Sequence, residues 1–127
     1  MKLWHAGVAV KDLEEAIELW ESLGFSVKQK FEKGEPAAHA ALMVDTQGTG
    51  IELWQFTGNS RLNEYVGRHV AFKCDDARKT AETLQRHGFK EVIPFTEGVM
   101  VNYVFVSDEL GTYYELAEVK EGNWSDD

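Results

Sequence analysis

The fold is decided by a stretch of sequence that occurs twice. Residues 5–25, HAGVAVKDLEEAIELWESLGF, align without a gap with residues 69–89, HVAFKCDDARKTAETLQRHGF, at a constant separation of 64 positions. An opening histidine, an aspartate after the apolar run, a glutamate and a closing Gly-Phe recur in register. The chain is therefore expected to consist of two similar modules.

A second match follows later in each module. An apolar-Glu-Leu triplet occupies residues 51–53 and again residues 114–116, 63 positions apart. Duplication thus supplies two imidazoles and two carboxylates at equivalent places, namely His5, His69, Glu52 and Glu115. Histidine with carboxylate is a ligand set typical of divalent transition metals. Both glutamates stand between apolar neighbours, where an unpaired carboxylate costs on the order of several kcal/mol, so we predict that all four bind one metal ion.

Composition restricts the class of protein. The chain has 127 residues, 43% of them apolar, and a formal net charge of −9, which fits one globular domain with a modest core. The acidic balance disfavours nucleic acid and anionic membranes as partners. The single cysteine, Cys74, excludes an intrachain disulfide, and no signal peptide precedes the first predicted strand. We therefore expect a cytoplasmic protein that acts on a small molecule.

Hydrophobic periodicity predicts the order strand, helix and three strands in each module, an α+β arrangement. The helices are expected at about 13–23 and 77–87, with Asp12 and Asp76 as N-caps and glycines as C-caps. The strands are expected at 4–10, 25–31, 38–44 and 50–56, and at 69–74, 89–95, 99–107 and 112–119. Lys33-Gly34-Glu35-Pro36 is predicted to be an irregular loop.

Strand alternation indicates what surrounds the ligands. The face of the first strand that carries His5 has only Gly7 and Ala9 beside it, which predicts an open trough next to the imidazole. Aromatic residues share a face with each glutamate. We expect three of them to contact substrate, namely Trp54, Phe56 and Tyr113.

These motifs resemble the vicinal oxygen chelate superfamily. The matching segments are LWHAGVAVKDL around His5, GIELW around Glu52, GRHVAFKCDD around His69 and GTYYELAE around Glu115. The resemblance implies a glyoxalase/bleomycin resistance fold, in which paired βαβββ modules form a cupped mixed sheet. It also implies a single domain over residues 1–127, with module one at about 1–63 and module two at about 64–127.

The four ligand positions resemble those of glyoxalase I, a lactoylglutathione lyase. This implies a lyase or isomerase that transfers a proton through a metal-stabilised enediolate. Nickel or zinc is the expected ion, with cobalt and manganese as alternatives. Glu115 is our first choice as the catalytic base and Glu52 the second. Relatives of this length pair as homodimers, and the resemblance leaves open whether one chain or two supply the ligands.

Two departures bear on the substrate. Glyoxalase I enzymes commonly hold glutathione with an Arg and an Asn at the positions that Ala9 and Phe56 occupy here, so we expect a different substrate. The opening motif also resembles methylmalonyl-CoA epimerase, which makes an epimerase or another small-molecule enzyme the first alternative. The second alternative is a non-catalytic drug-binding or metabolite-binding protein, like the bleomycin resistance members.

Overall fold

The computed structural model describes residues 1–120, so the last residues of predicted module two, 121–127, lie outside the described part. Within residues 1–120 the chain forms eight strands and three helices. Their bounds are β1 Lys2–Ala9, α1 Leu13–Ser22, β2 Ser26–Gly34, β3 Ala37–Val44, β4 Gly50–Phe56, α2 Leu62–Val66, β5 Arg68–Lys73, α3 Ala77–Gln85, β6 Lys90–Glu97, β7 Val101–Ser107 and β8 Tyr113–Val119. No helix in this range is both long and apolar enough to cross a membrane.

Two compact units divide the chain, and the first comprises residues 5–69. Its strands lie in the order β2-β3-β4-β1. β2 and β3 are antiparallel, as are β3 and β4, whereas β1 runs parallel to β4. A parallel pair needs a crossover connection. Here α1 and the β2-β3 hairpin supply it.

The second unit combines residues 1–4 with the chain from residue 70 onward. The strands of the second module lie in the order β5-β8-β7-β6. β6, β7 and β8 form an antiparallel meander in which Glu115 of β8 faces Phe105 of β7. The two modules thus repeat the same βαβββ sequence of elements, and the predicted α+β class is confirmed.

Helix α1 packs on the sheet of its own unit through one apolar stripe. Leu13 and Ile17 are buried against three residues of β3 and β4, namely Ala41, Met43 and Leu53, and Ala16 and Trp20 flank this cluster. Leu23 follows the last helical residue and is 59% exposed.

Both helix starts follow the prediction. Asp12 accepts a hydrogen bond from the Glu15 amide, and Asp76 accepts one from the Lys79 amide, each at 3.0 Å. These caps satisfy backbone donors that have no partner inside the helix. Gly24 ends the first module's helical turn at a φ of 102°, a conformation that favours glycine.

Three local features differ from the expectation. Helices α1 and α3 end at Ser22 and Gln85, so both are shorter than the periodicity indicated. β2 continues to Gly34, which reduces the predicted loop to the turn at residues 35–36. The short helix α2 was not predicted, because its five residues are too few to display a helical period.

Candidate metal centre

Burial singles out the four predicted ligands. Among residues 1–120, four side chains of the types His, Asp, Glu, Lys and Arg are buried, with exposures of 2 to 7%, and they are His5, Glu52, His69 and Glu115. Burying ionisable groups is costly unless each has a compensating partner. Within residues 1–120, each of these four buried groups therefore needs a compensating partner.

The first two ligands come from neighbouring strands. His5 lies on β1 and Glu52 on β4, and the parallel register places Glu52 beside Gly7, two residues beyond His5. Because alternate residues share a face of a strand, His5 and Gly7 lie on the same side of β1. The pairing of these two strands thus brings the imidazole of His5 close to the Glu52 carboxylate.

Three ligand atoms converge within residues 5–69. His5 Nε2 lies 3.3 Å from His69 Nε2 and 3.2 Å from Glu52 Oε1, and His69 Nε2 lies 3.8 Å from the same oxygen. Ligand bonds of about 2.0–2.2 Å in a compact coordination shell place neighbouring donor atoms roughly 3 to 3.5 Å apart. The two distances from His5 Nε2 fall in this range and the third, 3.8 Å, lies slightly above it, so these atoms form a donor set that could hold a divalent metal ion.

The protonation state of His69 follows from its backbone contact. His69 Nδ1 lies 2.8 Å from the carbonyl oxygen of Val66, the last residue of α2. A carbonyl only accepts hydrogen bonds, so Nδ1 carries a proton and Nε2 is the ring nitrogen that faces His5 Nε2. A histidine held in this way by its other nitrogen is the usual arrangement of a metal ligand. The unpredicted helix α2 thus positions a predicted ligand.

Glycine at position 7 makes room for this histidine. A Cβ atom at Gly7 would lie 2.1 Å from His69 Cε1 and 2.9 Å from the Val66 carbonyl oxygen. The prediction of an open trough beside His5 is therefore wrong. The space left by the missing side chain is filled by the His69 imidazole.

The environment of Glu52 stabilises its charged form. Burial raises the pKa of Glu52, but the charge and hydrogen bond of His5, the charge of His69 and a hydrogen bond from Trp54 outweigh burial and hold this pKa at about 2. Trp54 Nε1 donates to Glu52 Oε1 at 2.8 Å. The carboxylate is therefore an anion beside two histidines at neutral pH.

Glu115, the fourth predicted ligand, belongs to the other compact unit. Glu115 is buried on β8. The pKa of the nearby Tyr103 is raised by the burial of its own phenol, and the negative charge of Glu115 raises that pKa further. This effect places a negative charge near the Tyr103 phenol. The role of Glu115 as a ligand and base stays a prediction.

The three predicted substrate contacts have different surroundings. Trp54 is buried and Phe56 is half-buried, and their rings stack with centroids 5.9 Å apart. Tyr113 is buried on β8 in the other unit. Their contact with substrate stays a prediction.

Comparisons with known proteins agree with this fold. The sequence model of the Glyoxalase/Bleomycin resistance protein/Dioxygenase superfamily matches residues 4–103, and the chain belongs to that superfamily. The resemblance to vicinal oxygen chelate proteins is thereby confirmed. A comparison with curated proteins found no match.

Solved structures share the same architecture at low sequence identity. Methylmalonyl-CoA epimerase from Mycobacterium tuberculosis superposes with a TM-score of 0.79 and 23% identity, covering 94% of this chain and 88% of that chain. A Streptomyces coelicolor methylmalonyl-CoA epimerase variant in complex with 2-nitronate-propionyl-CoA gives 0.75 and 22%, covering 94% and 97%. A hypothetical protein from Bacillus halodurans C-125 gives 0.78 and 18%, covering 94% and 95%. At these identities the likeness establishes the fold.

Sequence reasoning missed two supporting groups. The Val66 carbonyl could not be predicted from the residue type, since every residue has a backbone carbonyl. Trp54 was expected to contact substrate, whereas its indole donates to Glu52. The spacing of two residues along β4 was a usable signal for this contact, because alternate residues of a strand share a face.

Proposed function

We propose that this protein is a divalent-metal-dependent lyase or isomerase of the glyoxalase I type, acting by proton transfer at a carbon next to a carbonyl group. The observation that carries this proposal is the convergence of His5 Nε2, His69 Nε2 and Glu52 Oε1 within 3.8 Å of one another in a buried setting. The Val66 carbonyl holds His69 by Nδ1, which leaves Nε2 as the nitrogen available to a metal ion, and the Glu52 carboxylate is already charged as metal binding needs.

Glu115 is proposed as the fourth ligand and the catalytic base. It occupies the position in the repeat that corresponds to Glu52, and it is one of the four buried side chains of the types His, Asp, Glu, Lys and Arg within residues 1–120. When bound, a divalent cation supplies Lewis acidity, which makes a C–H bond next to a carbonyl more acidic. Glu115 would take the proton from that carbon and return it to the adjacent one.

The surroundings of the site fit this chemistry. Burial of His5, Glu52 and His69 excludes bulk water from the ligand atoms, which strengthens electrostatic interactions there. His69 is held by a backbone carbonyl, so its ring does not turn during proton transfer. Nickel and zinc suit a donor set of two nitrogens and carboxylate oxygen, and cobalt and manganese are further candidates.

The proposed substrate is a small molecule without a glutathione tripeptide. The two positions that would carry glutathione anchors, Ala9 and Phe56, both lie against Gly67, where an added Cβ would be 3.1 Å from Ala9 Cβ and 2.9 Å from Phe56 Cε2. Neither the Ala9 nor the Phe56 side chain offers a cation or an amide for a carboxylate of the tripeptide.

Metal loading is the first test. Protein freed of metal and reloaded separately with nickel, zinc, cobalt and manganese should bind one ion per site, measured by elemental analysis after dialysis. His5→Ala and His69→Ala should lose that ion, whereas His39→Ala, which changes an exposed histidine of the same unit, should retain it. Absence of stoichiometric metal from the wild-type protein would support the non-catalytic binding alternative.

Turnover is the second test. In D₂O, the loaded enzyme should incorporate deuterium at the carbon next to the carbonyl of an accepted substrate, which NMR detects. Hemithioacetals and CoA thioesters are the two classes to compare. Glu115→Gln should abolish turnover by at least about a hundredfold, the lower range of general-base catalysis, while circular dichroism shows an intact fold. Full activity in that variant would remove Glu115 from the mechanism.

An epimerase acting on a CoA thioester is the second candidate. The observation that favours it is the shared fold with structures of methylmalonyl-CoA epimerase over nearly the whole chain. Both reactions begin with proton removal next to a carbonyl, so the substrate comparison above separates them.

We also propose that the protein is a homodimer, and sedimentation velocity of the metal-loaded protein tests this.

A further inference from the structure

Trp54 lies beside the proposed metal ligand Glu52 and donates a hydrogen bond to it. Resting on the proposed function, we infer that Trp54 is a positioning residue: its indole N–H orients the Glu52 carboxylate toward the two histidines before a metal ion binds. The inference rests on the indole contact, on the packing that fixes the indole, and on the orientation of the carboxylate.

The indole contact is direct and buried. Trp54 Nε1 donates to Glu52 Oε1 at 2.8 Å, and both residues are at most 5% exposed. A tryptophan has one N–H donor, which usually finds a partner when it is buried. A hydrogen bond to an ionised carboxylate is about twice as strong as one between neutral groups. The contact therefore holds the Oε1 atom of Glu52 in place.

Packing on two sides fixes the direction of this donor. Phe31 meets the Trp54 ring edge to face, with centroids 5.5 Å apart and planes at 85°, and Phe56 stacks on it at 5.9 Å and 16°. The indole cannot rotate without losing both aromatic contacts. Glu52 thus faces a donor whose position is set by β2 and β4 rather than by the ligand.

The oxygen that Trp54 holds is the one that faces the histidines. Glu52 Oε1 lies 3.2 Å from His5 Nε2 and 3.8 Å from His69 Nε2. The carboxylate is therefore oriented for metal binding before an ion enters, which reduces the conformational cost of binding.

The tryptophan at this position belongs to the first module of the repeat. The position of the second module that corresponds to Trp54 is Ala117, since the glutamate triplets are 63 positions apart. An alanine side chain has no donor. Duplication supplied two carboxylates, and the tryptophan distinguishes Glu52 from its repeat counterpart.

Metal affinity of the whole protein tests the inference. Competition with a chromophoric chelator should give a Co²⁺ affinity about 10- to 100-fold weaker for Trp54→Phe than for the wild type, the range found when a group that orients a metal ligand is removed. The visible absorption bands of bound Co²⁺ should also shift. Trp20→Phe is the matched control, because Trp20 packs against Phe25 in the same unit and should leave affinity within twofold.

The outcomes separate the inference from the proposed function. If the wild type binds Co²⁺ and a folded Trp54→Phe variant binds it within twofold as tightly, the positioning role is wrong and the metal site stands. If the wild type binds none, the proposed function itself fails, and the inference with it.

A second measurement covers the case in which Trp54→Phe does not fold. In the metal-free wild type, the ¹⁵N-resolved indole proton of Trp54 should resonate at low field and exchange slowly with water, and it should move in Glu52→Gln. An indole proton that exchanges as fast as an exposed one would overturn the inference.

Discussion

At the residue scale, the site depends on the absence of a side chain at Gly7. His69 occupies the volume in which any residue other than glycine at position 7 would place its Cβ, and the Val66 carbonyl that holds His69 borders the same volume. Protein interiors are close-packed and tolerate little added volume. The observed position of His69, a proposed metal ligand, therefore requires glycine at position 7.

Substituting Gly7 by alanine should displace His69. With a Cβ 2.1 Å from His69 Cε1, the imidazole must move and lose its bond to Val66. We expect metal affinity to fall by at least about tenfold and the free energy of unfolding to fall by about 1–3 kcal/mol, the usual cost of overpacking. Chelator competition and urea unfolding of the metal-free protein measure the two effects.

Gly34→Ala is the control for this substitution. Gly34 lies at the end of β2 in the same unit, and an added Cβ there meets nothing within 4 Å. This variant should keep wild-type metal affinity and unfold within about 0.5 kcal/mol of the wild type, as is usual for surface substitutions. Equal affinities for Gly7→Ala and Gly34→Ala would show that His69 does not need its observed position.

At the element scale, the two modules use equivalent polar contacts to attach the helix to a strand and to shape the turn before the last strand. Gln55 Oε1 accepts from the Leu13 amide and Glu118 Oε2 from the Ala77 amide, both at 2.7 Å, at positions 63 apart in the repeat. In both cases a strand side chain satisfies a backbone donor in the first turn of the module's helix. Contacts of this kind tie the start of the helix to the strand that carries the glutamate.

The turns before β4 and β8 are also equivalent. Asp45 accepts from the Thr49 amide and Asp108 from the Thr112 amide, each at 2.9 Å. Both turns contain a glycine with positive φ, at position 48 and position 111. An aspartate that accepts from amides further along the chain forms a side-chain version of a turn. The strands that carry Glu52 and Glu115 therefore begin in the same way.

Asp108 should give stability a specific pH dependence. The Thr112 amide lowers the pKa of Asp108 below its ordinary value of 3.8, and the Tyr114 hydroxyl and the Leu110 amide lower it further. A group with a lowered folded-state pKa stabilises the protein above its unfolded pKa and loses that contribution as pH falls through the folded value. The difference in unfolding free energy between wild type and Asp108→Asn should therefore be constant above about pH 5 and shrink below about pH 4.

Urea unfolding of both proteins from pH 2.5 to 7 measures this difference. Comparing the two proteins at each pH cancels the other titrating groups, including those of the metal site. Glu109→Gln removes one negative charge from the same exposed turn and is the matched control. A difference for Asp108→Asn that stays unchanged down to pH 2.5 would contradict the assigned hydrogen bonds.

At the scale of the whole molecule, the sequence repeat predicted the architecture because hydrophobic periodicity and capping residues are local signals. The bounds of β4, Gly50–Phe56, agree with the prediction, and both N-caps, Asp12 and Asp76, are confirmed. Helix α2 and the Val66 contact escaped prediction because a five-residue helix has no period and a backbone carbonyl has no residue type. The filled space at Gly7 escaped it because alternation identifies a face but not what covers that face.

If ligands come from both modules, metal binding should stabilise residues of both. A ligand that binds only the folded state adds RT ln(1 + [L]/Kd) to the unfolding free energy, about 2.7 kcal/mol at a hundred times Kd. We expect zinc or nickel to raise the melting temperature of the wild type relative to protein in chelator. Glu52→Gln and Glu115→Gln should both lose most of that increase.

Differential scanning calorimetry of each variant with and without metal measures this effect. Glu97→Gln, an exposed substitution in the same unit as Glu115, should keep the full increase. Because each variant is compared with itself in chelator, a change in its intrinsic stability cancels. The size of the loss then assigns the fourth ligand: a Glu115→Gln protein that gains as much from metal as the wild type would confine the site to His5, Glu52 and His69. Glu115 would then act, if at all, on the substrate alone.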